Sequence, residues 1–123
     1  MRVGPLRATV LLWLAFGSGA WAQKSAVDEE GHPWWKHAVF YEIYPSSFAD
    51  SNNDGIGNIP GITSKLDYLH WLGVDAIWIA PMYPSPQVDW GHHISDYYSV
   101  NPDYGTMKDM DALVTEGKRR NNR

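Results

Sequence analysis

Two short stretches of this chain place side chains at spacings that could do chemistry. In residues 50–58, Asp50, Asn52 and Asp54 stand at alternate positions. Gly55 permits a sharp turn, Ile56 can offer its backbone carbonyl, and Asn58 adds a further oxygen. Hard oxygen ligands at alternate positions of one turn, with glycine at the sixth, form the first part of a calcium loop. Calcium takes roughly 6–8 oxygens at about 2.3–2.6 Å, so these five ligands and water could fill its shell. An EF-hand would need a bidentate glutamate at the twelfth position, which here is Gly61, and a helix ahead of the loop, where the residues read as a strand. The expectation is a single-turn structural calcium site, magnesium being less suited to so many oxygens. The alternative is a polar Asx/Gly turn without metal.

The second stretch holds Asp89, His92, His93 and Asp96. As a zinc cluster it is poorly arranged, because adjacent histidines on a loop rarely face one ion and no helical i, i+4 pair supports them. Contact with a polar ligand, or plain surface exposure, is the better reading. His32, His37 and His70 read as structural or solvated. Asp67, Asp75, Asp109 and Asp111 read as helix-surface, cap or strand-end carboxylates.

The elements that must hold these loops follow from patterning. Residues 38–44 are rich in β-branched and aromatic side chains and end at Pro45, which predicts a strand. In residues 61–72, Ile62, Leu66, Leu69 and Leu72 fall at helical spacing and Gly73 follows as a stop. Residues 74–80 form a nearly continuous apolar run before Pro81, as suits a strand buried on both faces of a parallel sheet. Residues 81–105 form a loop too long for a mere connector. Thr106 predicts a helix N-cap with Asp109 as capping-box partner. Met110, Leu113 and Val114 give that helix an apolar stripe, and Lys118, Arg119 and Arg120 suit its C-terminal end. Strand, loop, helix, strand, long loop, helix is two βα units in succession, hence an α/β fold with a parallel sheet and helices outside.

The 123 residues carry a formal net charge of −4 and no cysteine. Disulfides, structural Cys-zinc sites and thiol catalysis are excluded, and nothing supplies the basic face that nucleic acid requires. The 7 Trp and 7 Tyr suit a core or a platform on which sugar rings stack, and composition does not separate the two. Residues 1–22 read as a secretory signal: Arg2 and Arg7, an apolar run over residues 8–16, then Ala20-Trp21-Ala22, with cleavage expected after Ala22. A bilayer span needs roughly 20 apolar residues, so no membrane span is expected after cleavage, and the expected location is secreted or periplasmic. Residues 23–33 read as a flexible, polar leader, leaving residues 34–123 for the folded part.

Residues 40–45 (FYEIYP), Phe48, residues 50–57, residues 65–69 (KLDYL), residues 72–78 (LGVDAIW), Pro81, Ser85-Pro86, Asp96-Tyr97 and residues 104–107 (YGTM) follow one another in an order and spacing that resembles the N-terminal part of the α-amylase family of glycoside hydrolases. The branch it is most similar to is the α-glucosidase, oligo-1,6-glucosidase and trehalose-synthase group. The resemblance runs from about Trp34 to Arg120. It implies the first two βα units of a (β/α)8 TIM barrel, incomplete here, with the site at the C-terminal ends of the strands. It implies that Asp50, Asn52, Asp54, Ile56 (through its carbonyl) and Asn58 are the family's calcium ligands, with Asn58 standing where many relatives carry Asp.

The resemblance also implies substrate contacts. Asp89 matches a carboxylate that hydrogen-bonds hydroxyls of the non-reducing glucose. His92 stands where the family places a Tyr that stacks on that glucose, and His93 where it places an Asp. Ser46 stands where relatives commonly have Arg. The implied activity is retaining hydrolysis of α-glucosidic bonds in maltose- or starch-type oligosaccharides. Retention requires two carboxyl groups roughly 5–5.5 Å apart, and the family keeps its Asp nucleophile and Glu acid on the fourth and fifth strands, which this chain does not include. No residue here is assigned a catalytic role, and this chain alone is expected to be inactive. The alternative is a non-catalytic remnant that binds calcium or carbohydrate.

Overall fold

A computed structural model describes Val27 and residues 30–120. The signal segment 1–22 and most of the leader lie outside the described residues. The described part of the leader closes an antiparallel bridge between Val27 and Pro33, followed by a 3-10 turn over Trp34–Lys36.

Strand β1, Phe40–Ile43, leads through the single turn α1, Pro45–Phe48, and the 50–58 loop into α2, Ile59–Ser64, and α3, Leu66–Trp71. Strand β2, Ala76–Ile79, follows. It pairs with β1 in parallel, in the register Phe40 with Ala76 and Ile43 with Ile79. Its long loop contains a 3-10 turn over Val88–Gly91 and ends at α4, Met107–Arg119. The order is the expected pair of βα units. The 50–58 loop and the long loop after β2 therefore leave from the same end of the parallel pair, the carboxyl ends of its strands.

The segment expected as one helix over 61–72 is two. Asn58 caps α2 two residues early, its side-chain oxygen accepting from the Gly61 amide at 2.8 Å. At Lys65 the backbone leaves helical geometry (φ −102°, ψ 3°). The cause lies in the preceding turn, where Thr63 Oγ1 donates to the Ile59 carbonyl and Ser64 Oγ to the Gly61 carbonyl. Hydroxyls that bond back onto the helix bend it. The predicted cap of α4 is present in full: Thr106 accepts from the Asp109 amide, and Asp109 accepts from the Thr106 amide at 2.8 Å.

The core is Ile43, Ile59, Ile62, Leu66, Leu69, Val74 and Leu113, closed by Val100 and Tyr104 from the end of the long loop. Strand β2 is less buried than its apolar run suggests. Ala76 is buried but Trp78 is 59% exposed, because no element among the described residues covers that side of the sheet. Between β2 and α4 an apolar cavity of about 130 Å³ opens, lined by Leu66, Ile77, Ile79, Met110 and Leu113 among others. Asp67 of α3 pairs with Arg120 at the end of α4, and Asp75 accepts from the Val39 amide at 3.0 Å. Both carboxylates serve the scaffold, as expected.

Candidate functional site

The loop over residues 50–58 is built around the Asp50 carboxylate. Oδ1 accepts from the amides of Asn52 (3.0 Å) and Asn53 (2.7 Å), and Oδ2 from the amide of Gly55 (2.8 Å). These bonds, led by the one from Gly55, hold the carboxyl below its ordinary pKa of 3.8. Wrapping so tightly takes Asn53 to φ 62° and Gly55 to φ 90°. The remaining oxygens are strung together. Asn52 Nδ2 donates to Asp54 Oδ2 at 2.7 Å, Asn58 Nδ2 donates to Asn52 Oδ1 at 3.0 Å, and Asp54 Oδ1 accepts from the Ile56 amide at 2.8 Å.

The loop is seated by its own exit. The Gly57 amide donates to the Ser46 carbonyl at 2.8 Å and the Asn58 amide to the Ala49 carbonyl at 2.9 Å. Any side chain at Gly57 would collide with the Pro45 carbonyl, so the close approach requires glycine there. The structure thus gathers the side chains of Asp50, Asn52, Asp54 and Asn58, with Ile56 between them, into one turn. It also gives Asn58 a role that sequence reasoning missed. Its Oδ1 accepts from Gly61 N and from Ser51 Oγ at 2.7 Å. A ligand bound to that oxygen would compete with the Ser51 hydroxyl.

Asp89, His92 and His93 lie together on and just after the 3-10 turn, all three exposed. The His92 amide donates to the Asp89 carbonyl at 3.0 Å. The turn departs from helical geometry: Gln87, Asp89 and Trp90 take φ values of 60°, 53° and 56°. Left-handed conformations cost non-glycine residues roughly 1–3 kcal/mol each and persist only where the surroundings enforce them. Asp96 sits in its own turn, accepting from Ser99 Oγ and from the Tyr98 amide. The Ser99 bond leads in holding its pKa below the ordinary value. Among the described residues no three His, Asp or Glu gather as metal ligands.

One further residue reaches the turn, and two brace the loop that carries it. Tyr44, at the end of β1, donates its hydroxyl to the Trp90 carbonyl at 3.2 Å. Tyr104 is only 3% exposed, and its hydroxyl neighbours the side chains of Tyr44, Ser46 and Gln87. Burial, and then the neighbouring Tyr44, push its pKa above the ordinary 10.0. Asn101, also buried, ties the loop's return: its amide donates to the Met82 carbonyl and its carbonyl accepts from the Tyr104 amide, each at 2.9 Å. Tyr44 and Tyr104 stood in the sequence as members of the FYEIYP and YGTM stretches, with no sign of a contact to the turn. Asn101 had no signal beyond its place near the end of a long loop.

Comparison with known proteins agrees with this geometry. Residues 42–123 match the family described as alpha amylase, catalytic domain. The chain is 56% identical over 87 residues to a glucan 1,6-alpha-glucosidase of Streptococcus pneumoniae, covering 71% of this chain and 16% of that one. It is 46% identical over 111 residues to maltase 1 of Drosophila virilis, covering 90% and 18%. Among solved structures, the trehalulose synthase MutB of Pseudomonas mesoacidophila MX-45 superposes with a TM-score of 0.74 at 59% identity, covering 76% of this chain and 17% of that one. The chain thus spans less than a fifth of the length of these relatives. A parallel β1–β2 pair with both loops at its carboxyl end is an incomplete part of the TIM barrel that this family builds. On the matched catalytic-domain residues and these identities, the chain belongs to the alpha-amylase family.

Proposed function

We propose that this chain supplies the metal loop and one wall of the sugar pocket of an α-glucosidase-type, retaining glycoside hydrolase acting on maltose- or starch-type oligosaccharides. The observation that carries the reading is the exposed Asp89-Trp90-Gly91-His92-His93 turn at the carboxyl end of β2, the end at which barrels of this kind bind substrate. The names of the relatives point the same way: two are glucosidases or maltases, and a variant of the trehalulose synthase is solved with its substrate sucrose. Asp89 accepts hydrogen bonds from sugar hydroxyls, and His92 and His93 offer an aromatic face and further polar atoms beside it. Bond cleavage needs two carboxyl groups flanking the glycosidic oxygen. Asp89 orients substrate and takes neither role.

The 50–58 loop fits a structural calcium ion. Two carboxylates, two side-chain amides and the Ile56 carbonyl are hard oxygen donors on a closed turn, the chemistry calcium prefers. When bound, the ion would neutralise Asp50 and Asp54 and stiffen the exit of β1. Asp50, Asn52, Asp54, Ile56 and Asn58 would hold it. The export signal at residues 1–22 goes with an enzyme that meets its polysaccharide outside the cytoplasm.

The test is sugar binding by the full chain. Maltose titration followed by amide NMR should shift the signals of residues 89–93, and Asp89→Ala should abolish the shift. The same chain should not cleave a chromogenic α-glucoside. Turnover that disappears in Asp89→Ala would sink the inactive-alone part of the reading. Absence of any maltose response would sink the sugar wall itself.

A further inference from the structure

The turn that carries Asp89 is held from the end of β1. Gln87, two residues before Asp89, lies beside the buried Tyr104 hydroxyl. Trp90 follows Asp89, and its carbonyl accepts from the Tyr44 hydroxyl at 3.2 Å. The buried Tyr104 neighbours Tyr44. Tyr104 is fixed in turn to the scaffold, since its carbonyl accepts from the Ile59 amide at 2.8 Å, at the start of α2. One hydrogen bond therefore ties the end of β1 to the residue that follows Asp89, with Tyr104, fixed to the start of α2, buried beside it.

The strain gives this bond its purpose. Gln87, Asp89 and Trp90 all hold left-handed backbone angles, and a bulky residue such as Trp has no intrinsic reason to adopt them. Released, the turn would relax to ordinary angles, and the carboxylate direction at Asp89 would change with it. We propose that Tyr44 is a positioning residue for sugar recognition: by holding the Trp90 carbonyl it locks Asp89 in its left-handed conformation. The inference rests on the sugar-wall reading above for its functional meaning, and on the Tyr44–Trp90 hydrogen bond for its structural one.

The experiment compares the full chain, Tyr44→Phe, Trp90→Asn and the double variant. Asparagine is at ease in the left-handed region, so at position 90 it removes the need for a clamp while keeping the carbonyl. Two readouts are taken: amide hydrogen exchange at His92, whose N–H bonds to the Asp89 carbonyl, and maltose affinity. Exchange at Ile62 and Leu69, bonded within α2 and α3, reports the core. Loss of one hydrogen bond predicts about five- to tenfold faster His92 exchange in Tyr44→Phe and a similar loss of affinity, with the core amides unchanged. In the Trp90→Asn background the same substitution should change either readout by less than about twofold, because the two positions are coupled through the clamp. Unchanged His92 exchange would overturn the proposal. So would an equal rise at Ile62 and Leu69, which marks general loosening, or an undiminished effect in the double variant. A chain that never binds maltose but whose His92 amide responds as described would remove the sugar reading and leave the clamp standing.

Discussion

Asn58 Oδ1 lies 2.8 Å from the Gly61 amide and caps helix α2, so the last residue of the proposed metal loop is also the first residue of the scaffold. Asn58→Ala removes the cap and should cost about 1–2 kcal/mol in chemical denaturation of the chain. Asn58→Asp keeps an equally good cap and should stay within about 0.5 kcal/mol without metal. The same change adds a carboxylate to the loop and should tighten calcium measurably by calorimetry. A destabilised aspartate variant with unchanged calcium affinity would separate the two roles and contradict both expectations.

Calcium itself is tested by thermal shift. Saturating calcium should raise the unfolding temperature of the full chain, by about 2.7 kcal/mol of stability at a hundredfold excess over Kd. Asp54→Asn should reduce that gain while leaving the metal-free stability nearly unchanged. Identical melting with millimolar calcium and with chelator would reduce the loop to a polar turn.

The pH dependence has a definite sign. Hydrogen bonding holds the pKa values of Asp50, Asp96 and Asp109 below 3.8, with the Gly55 amide, the Ser99 hydroxyl and the Thr106 hydroxyl as the leading donors. A carboxylate with a depressed folded pKa contributes stability above its unfolded value and loses it as pH falls through the folded one. Denaturant midpoints should therefore be flat from neutral pH down to the ordinary carboxylate range and drop below it. Thr106→Ala should flatten the part of that drop due to Asp109. Tyr104 works in the opposite direction. Its raised pKa leaves its contribution complete below pH 10 and removes it as pH climbs further.

His92 and His93 occupy positions where the family resemblance expects Tyr and Asp. His92→Tyr offers a larger stacking face and should strengthen maltose binding severalfold, about 0.5–1.5 kcal/mol. His93→Asp should change affinity through the hydrogen bonds its carboxylate accepts from the hydroxyls of the neutral sugar. If both variants leave affinity unchanged, neither side chain touches the sugar.

Much of this was legible from sequence because it depends on local chemistry. β-Branched and aromatic enrichment marked β1, an apolar run marked β2, and Thr106 with Asp109 marked the start of α4. The Asp-Asn-Asp-Gly spacing marked a turn that its own amides close. The break at Lys65 was not legible, because it comes from the Thr63 and Ser64 hydroxyls competing for helix carbonyls against a helical spacing that continues through them. Nor was the exposure of Trp78, which depends on what lies over the sheet. The Tyr44–Trp90 contact joins residues 46 apart, and no local pattern announces it. The site's residue types could be read in advance, but the framework that holds them is tertiary.

The open cavity between β2 and α4 has a practical consequence. Its walls of Ile77, Ile79, Met110 and Leu113 sit beside a strand edge with backbone groups left to bond. Such a surface is sticky toward any extended peptide, so handling this chain in isolation is a colloidal problem before it is an enzymological one. Concentration, chaperone supply and ionic strength will govern how much of it stays in solution, whatever the sugar wall can bind.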